Sequence, residues 1–262
     1  MGVVNVTPDS FSDGGVIAST DAAVAAARAL AGEGAIVVDV GGESTRPGAA
    51  DVPLDEELRR VLPVLERLTG FDVSVDTAKA EVARRALDLG AVMVNDVTAL
   101  RGDSELAGVV ADAQGYLCLM HMQGTPRTMQ ERPRYGDVVS EVAAFLEERL
   151  AVAIAAGVVE ERICLDPGFG FGKTPDHNLA LLRGLGTIVG LGRPVLVGLS
   201  RKSTLARITS GPDARVASDA ASVGAAVLAF ERGASIFRVH DVGAHVDALA
   251  VAAAVERGTV AG

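Results

Sequence analysis

Short apolar runs recur along the chain, and each is followed by a stretch with helical periodicity. The runs are rich in Val, Ile and Leu with little polar alternation, which is typical of strands buried on both faces. We expect eight such strands, at 2–6, 35–38, 72–76, 92–95, 116–120, 162–166, 194–199 and 235–239.

Between these runs, apolar residues recur at intervals of three and four, which indicates amphipathic helices. We expect helices near 20–33, 54–68, 79–89, 104–113, 138–156 and 177–189, then a helical region after 203 that is interrupted at 210–213, and a last helix after 241. Strands that alternate with helices favour a parallel sheet with right-handed crossovers. Eight units within 262 residues predict a single-domain (β/α)8 TIM barrel over 1–262.

The composition limits which residues can fill the core and which partners the protein can bind. Apolar residues make up 49 % of the chain, but aromatic residues only 3 %, so Ala, Val, Leu and Ile must fill the core. The net charge of −10 argues against a general affinity for nucleic acid or for an anionic membrane. Cys118 and Cys164 lie within apolar runs and are expected to be buried free thiols, as in a reducing cytoplasm. With no membrane-spanning run and no signal peptide pattern, we expect a cytoplasmic protein.

Polar side chains follow the predicted strands where each one ends. In a (β/α)8 barrel these ends meet on one face, where active sites of this fold are found. Capping or turn roles explain one or two such residues but not the whole set. The set consists of Asn5, Asp39, Asp76, Asn95, His121, Asp166 and Arg238.

These residues suggest two kinds of recognition at the same face. The carboxylates of Asp76 and Asp166, with Asn95, suit a flat heterocycle that presents a row of N–H donors. Positive charge can come from nearby basic residues, and a helix that begins at Ser203 would favour an anion at its N-terminus. The basic residues are Arg46, Lys202, Arg238 and His240. We therefore predict an enzyme that joins or cleaves an anionic small molecule at a polar heterocycle.

Two apparent motifs are set aside. The stretch 168–174 ends like a phosphate-binding P-loop, but Pro167 stands where the first glycine of that motif is required. The histidines show no metal-site spacing and no cysteine partners, so no zinc site is predicted.

Seven sequence blocks together resemble one family, the dihydropteroate synthases of folate synthesis. Among them are Asp-Val-Gly-Gly-Glu-Ser-Thr-Arg-Pro-Gly at 39–48, Ser-Arg-Lys-Ser at 200–203 and Arg-Val-His-Asp at 238–241. The other blocks lie at 5–15, 73–77, 94–97 and 166–173. The blocks stand in the family's order and spacing, and the resemblance covers nearly the whole chain.

The resemblance implies a transferase that condenses 7,8-dihydropterin-6-ylmethyl diphosphate with p-aminobenzoate, giving 7,8-dihydropteroate and pyrophosphate with the help of Mg2+. It also implies a homodimer, competition by sulfonamides and a largely dissociative mechanism without an obvious general base. Family members usually have a lead-in before the first strand, whereas this sequence starts inside that strand. We therefore expect a barrel without that lead-in.

The resemblance assigns residues to each subsite. Asp76, Asn95, Asp166 and Lys202 would hold the pterin, with Met120 and Phe171 as apolar walls. Asn5 would contact Mg2+ and the diphosphate, which Thr45, Arg238 and His240 would also bind. Phe11, Arg46, Pro47, Lys202 and Ser203 would shape the p-aminobenzoate pocket. The residues expected to carry catalysis are Lys202, Asp166, Arg238 and His240.

Two other functions stay open at this point. One is a pterin-dependent methyltransferase domain with the same barrel, against which the blocks at 45–47 and 200–203 count. The other is a paralogue that binds pterin without turnover.

Overall fold

The computed structural model describes residues 1–7, 19–46 and 48–259, which form a barrel of parallel strands surrounded by helices. The strands are β1 (Gly2–Asn5), β2 (Val37–Gly41), β3 (Asp72–Asp76), β4 (Met93–Asp96), β5 (Tyr116–Met120), β6 (Ile163–Asp166), β7 (Leu196–Val197) and β8 (Ile236–Phe237).

The helices are α1 (Thr20–Gly32), α2 (Leu54–Leu65), α3 (Ala80–Asp88), α4 (Leu106–Asp112), α5 (Val138–Ala155), α6 (Pro175–Arg183), α7 (Leu185–Val189), α8 (Ser203–Ser210), α9 (Asp219–Phe230) and α10 (Val242–Arg257). A short 3-10 turn, Glu160–Arg162, leads into β6.

The strands pair in chain order and close into a ring. β1 to β6 form one continuous parallel sheet, and β7 pairs with β8. Single bridges join these two sheets, Leu165 with Val195 on one side and Gly2 with Val239 on the other. At the second junction the Val3 N–H donates to the Val239 carbonyl at 3.2 Å. The predicted (β/α)8 barrel is confirmed.

The core lies in two layers. Between strands and helices, small and branched side chains such as Val40, Val75 and Leu117 are fully buried. A smaller cluster of Met93, Cys118, Cys164 and Leu196 forms a separate apolar group. Both cysteines are buried and free, as expected from the sequence. No helix in the described ranges is long and apolar enough to cross a membrane.

Strand β2 differs from its prediction in position. The apolar run suggested 35–38, but the strand spans Val37–Gly41, and the Ile36 side chain is 80 % exposed. The strand continues through Asp39 because this carboxylate is buried against polar partners inside the barrel. A polar residue with buried partners therefore does not end the strand.

The helix predicted at 177–189 is two helices. α6 begins at Pro175, capped by a reciprocal pair of hydrogen bonds between Thr174 and His177. It ends at Arg183, and a Cβ atom on the next residue, Gly184, would lie 2.8 Å from Cγ2 of Val139 on α5. Close packing against α5 therefore requires glycine at the break.

Replacement of Leu117 by Ala is expected to lower the free energy of unfolding by about 2–5 kcal/mol, because the fully buried side chain would leave a cavity in the core. Ile36→Ala is the control, since that side chain is mostly solvated and should change stability by less than about 0.5 kcal/mol. Urea unfolding of both variants measures the difference. Equal losses would contradict the assigned core.

Candidate active site

The carboxyl ends of the strands hold a buried group of charges that comes from four strands. Asp76 and Asn95 lie opposite one another on β3 and β4. Asp39 on β2 is in register with Ser74 on β3. Ser74 lies two residues before Asp76, so Asp39 and Asp76 point to the same face of the sheet. Arg238, directly after β8, donates from Nε to Oδ2 of Asp39 at 2.6 Å and from Nη2 to Oδ2 of Asp76 at 2.8 Å.

One guanidinium thus serves two carboxylates. Burial raises the pKa of Asp76 to about 7, against the opposing effect of Arg238 and with a further increase from Asp39. Burial alone would lower the pKa of Arg238, but Asp39 and Asp76 outweigh it and the pKa is raised. Arg238 therefore stays charged, while Asp76 can gain or lose a proton near neutral pH.

Two acceptors in this group have no hydrogen-bond partner within the described part of the chain. They are Oδ1 of Asp39 and Oδ1 of Asn95, and the Nδ2 group of Asn95 donates to Oδ2 of Asp39 at 3.1 Å. Buried polar atoms are normally satisfied, so neighbouring orphan acceptors favour a ligand that brings N–H donors. Sequence reasoning placed Asp39 at a strand end but gave it no subsite.

A second wall of the site carries Asp166 and Lys202. Burial raises the pKa of Asp166, while its hydrogen bond from Gly168 N–H at 2.7 Å and the charge of Lys202 oppose this. Burial lowers the pKa of Lys202 to about 8, with Asp166 opposing. The Lys202 ammonium lies 4.2 Å from the ring centroid of Phe171. The structure thus brings these three predicted residues together.

Met120 and Phe171 also meet, as the predicted apolar walls require. Met120 is buried in a cluster with Val97, Met122 and Met129, and Phe171 packs against this cluster.

Lys202 is positioned by the residue before it. Arg201 has a left-handed backbone with φ of 58°, which is costly for a residue with a side chain. Its N–H donates to Oγ of Ser222 at 3.0 Å, and its guanidinium binds Asp219 at 3.0 Å. These bonds from the start of α9 hold the turn, so that Lys202 caps α8 and Ser203 is its first residue.

The loop after β6 is tied down by a buried lysine that the sequence did not single out. Lys173 donates to the carbonyls of Gly168 at 2.9 Å and Phe171 at 3.1 Å, and lies 2.8 Å from Nδ1 of His121. Burial lowers the pKa of Lys173 to about 7. A Cβ atom on Gly168 would lie 1.9 Å from the His121 carbonyl oxygen, so only glycine fits there. His121 is thus a partner of this loop.

His240, counted among the basic residues from the sequence, is buried beside several cations in the structure. Burial and, to a smaller extent, the nearby positive charges lower the pKa of His240 to about 3, so the imidazole is neutral at pH 7. These charges belong to Arg238, Arg201, Lys202 and Arg46. Its Nδ1 lies 3.0 Å from Oγ of Ser200, and Ser200 also accepts the His240 backbone N–H at 3.2 Å. In this structure the ring can act as a neutral hydrogen-bond donor or acceptor.

The remaining predicted residues lie around the mouth. Asn5 ends β1 opposite Gly41, and Thr45 and Arg46 stand on the loop after β2. The charge of Arg46 acts on both Lys202 and His240, which places it on the same face. Phe11 and Pro47 lie outside the described residues.

Comparison with known proteins agrees with this geometry. Residues 1–240 match the family of pterin binding enzymes, and the chain belongs to that family. Among its relatives, the dihydropteroate synthase of Neisseria meningitidis serogroup C is 49 % identical over 254 residues, covering 95 % of this chain and 89 % of that protein.

Solved structures give the same result. The Yersinia pestis dihydropteroate synthase, in a sulfonamide drug complex, has a TM-score of 0.92 and 41 % identity, covering 98 % of this chain and 94 % of that one. The Xanthomonas albilineans dihydropteroate synthase in complex with 7,8-dihydropteroate has a TM-score of 0.85 and 48 % identity, covering 98 % and 92 %. The family resemblance seen in the sequence is confirmed.

The neutral state of His240 predicts a pH dependence of stability. The unfolded imidazole has a pKa near 6.5, above the folded value, so the contribution to stability is complete above about pH 6.5 and is lost as the pH falls toward 3. We expect the stability difference between wild type and His240→Asn to shrink as the pH is lowered from 7 to 4. Unfolding in urea at several pH values measures it. A difference that grows on acidification would contradict the assignment.

Proposed function

We infer that this chain is a dihydropteroate synthase, which condenses 7,8-dihydropterin-6-ylmethyl diphosphate with p-aminobenzoate and releases pyrophosphate. The observation that carries this conclusion is the buried set of acceptors facing a lysine at the barrel mouth, in a chain about half identical to known synthases. The known relatives quoted above are synthases, so neither the methyltransferase nor the silent paralogue gains support from them.

The pterin fits the floor of the site, which is formed by the buried polar side chains at the strand ends. Its ring edge presents N–H donors, and the carboxylates of Asp76 and Asp166 with the amide of Asn95 are matching acceptors. All three side chains are buried, which strengthens each hydrogen bond relative to water. Met120, packed with Val97, Met122 and Met129, and Phe171 beside them supply apolar contact to the ring faces.

The diphosphate and p-aminobenzoate fit the rim of the site, which is formed by the loops after β2 and β7. Thr45, Arg46, Lys202 and Ser203 offer hydroxyl groups, positive charge and the N-terminus of an eight-residue helix. Arg238 uses two of its five N–H donors on Asp39 and Asp76, and other donors of the same guanidinium can reach a phosphate.

Magnesium fits as a companion of the diphosphate. Within the described ranges, no group of three or more acidic, histidine or cysteine side chains forms a metal cage. Mg2+ commonly keeps its waters and binds substrate phosphates with one or two protein oxygens, and the Asn5 side chain can supply one. When bound, the ion would neutralise charge on the leaving diphosphate.

The arrangement suits a dissociative reaction. As the diphosphate departs, positive charge develops on the pterin methylene, close to the acidic floor, and negative charge develops near the basic rim. Preorganised groups of both signs stabilise this separation. The amine of p-aminobenzoate then attacks the methylene. Sulfonamides, bound by the Yersinia pestis enzyme, would compete for the p-aminobenzoate position.

The test is pyrophosphate release from the pterin diphosphate with Mg2+, with and without p-aminobenzoate. Release should depend on p-aminobenzoate and fall by about a hundredfold or more in Lys202→Ala and Asp166→Ala, which remove groups that stabilise separating charge. Glu81→Gln, an exposed change on α3, is the control and should leave the rate unchanged. Folded protein that binds the pterin but releases no pyrophosphate would indicate the silent paralogue.

We also propose that the protein is a cytoplasmic homodimer. Val251 and Val255 on α10 are 66 % and 77 % exposed and give a second copy an apolar face to cover. Sedimentation equilibrium should give twice the chain mass, and Val255→Glu should lower it. A monomer at all concentrations would contradict this proposal.

A further inference from the structure

Three charged side chains meet behind the loop that carries Thr45 and Arg46. Nζ of Lys79 lies 2.5 Å from Oε2 of Glu43 and 2.5 Å from Oε2 of Glu57. Glu43 belongs to the loop after β2, Glu57 to α2, and Lys79 precedes the first residue of α3. We call these three residues the Lys79 cluster.

The cluster is largely withdrawn from water. The Glu57 side chain is 1 % exposed, and its Oε1 atom has no hydrogen-bond partner among the described residues. A carboxylate is buried in this way only when a counter-ion accompanies it. Burial tends to lower the pKa of Lys79, but its bonds to Glu43 and Glu57 outweigh this and the pKa is raised. The ammonium therefore stays charged at neutral pH.

Glu43 closes the loop at its base. One carboxylate oxygen accepts from Lys79, and the other, Oε1, accepts the Val52 N–H at 3.0 Å. The segment between these two attachments contains Thr45 and Arg46. The Lys79 cluster thus fixes both ends of a ten-residue segment, 43–52, to the helices outside the barrel.

The residue before Glu43 is held just as closely. A Cβ atom on Gly42 would lie 2.7 Å from Cγ2 of Val61 and 3.0 Å from Cγ of Glu57. Nη1 of Arg60 donates to the Gly42 carbonyl at 2.8 Å. The root of the loop is therefore pressed against α2, and the position of the loop depends on where α2 and α3 hold it.

We propose that the Lys79 cluster positions the segment 43–52 for the reaction, so that Thr45 and Arg46 meet the diphosphate and p-aminobenzoate in a fixed geometry. Glu43, Glu57 and Lys79 are positioning residues, since they act through Thr45 and Arg46. This inference rests on the proposed synthase function for its kinetic readout. A small displacement of substrate-binding groups is costly to rate, which gives the cluster a role beyond stability.

The first test is Glu43→Gln. A glutamine has one acceptor oxygen where the carboxylate has two, so it can serve Lys79 or Val52 in the present geometry but not both. We expect the KM for p-aminobenzoate to rise about tenfold, on the scale of a displaced binding group. The Kd of the pterin without its diphosphate, which needs only the barrel floor, should stay within about twofold of wild type.

Glu81→Gln is the matched control, because it makes the same chemical change to an exposed carboxylate paired with Arg85 on α3. A second variant, Lys79→Met with Glu57→Gln, removes the two charges at the base of the cluster together, so that the 1 % exposed Glu57 position carries no unpaired carboxylate. Glu43, which is 23 % exposed, keeps its hydrogen bond from the Val52 N–H in this variant. The double variant should fold and show the same rise in KM. A lower kcat or lower thermal stability in these variants, with KM unchanged, would overturn the proposal in favour of a purely structural role.

Hydrogen exchange separates this inference from the proposed function. Amides of 43–46 and 48–52 should exchange at least tenfold faster in Glu43→Gln and in the double variant, while those of α8 should not change. An inactive wild type with this exchange pattern would refute the proposed synthase activity. It would still support the attachment of the loop by the Lys79 cluster. An active wild type with unchanged exchange and unchanged KM in the variants would refute the role of the Lys79 cluster alone.

Discussion

The pairing of Arg238 with Asp39 and Asp76 is the interaction on which the site depends. It joins residues 199 and 162 positions apart, because the Arg238 side chain that follows the last strand reaches carboxylates on the second and third strands. Without the guanidinium, two carboxylates would share a buried space, and like charges at such short range cannot both remain ionised. In a chain with a net charge of −10, this cation makes an acidic floor compatible with a folded barrel.

Around these three residues, the polar groups of the site separate by charge and by their depth in the barrel mouth. Acceptors lie on the floor and come from strands, where the backbone is held on both sides. Cations and hydroxyl groups lie on the rim and come from loops, whose shape is set by a few bonds such as those of Arg201 to the start of α9. The division matches a reaction that develops positive charge on one substrate and negative charge on its leaving group.

Much of this could be predicted from the sequence. The eight strands follow from local patterns, because burial on both faces leaves a continuous apolar run in each. The end of β2 does not, since that strand continues past its apolar run through the buried Asp39 to Gly41. The family resemblance suggested the roles proposed for residues such as Lys202. The contact of Lys173 with His121 and that of Lys79 with Glu43 could not be found this way, since the partners lie 52 and 36 positions apart along the chain. The same holds for the neutral state of His240, which depends on cations brought close by the fold.

The two single bridges that close the barrel have a consequence for its motions. β7 and β8, with their helices, meet the six-stranded sheet at one bridged residue pair on each side, whereas neighbouring strands within that sheet are in register over three to five residue pairs. Local opening of a native protein starts where the fewest contacts must break. This sector carries Lys202 and Arg238, so its partial unfolding would take both cations away from the acidic floor in one event. Occupancy of the site by substrate therefore ties together the weakest seam of the barrel, and the bound enzyme resists sub-global unfolding and proteolysis better than the free one.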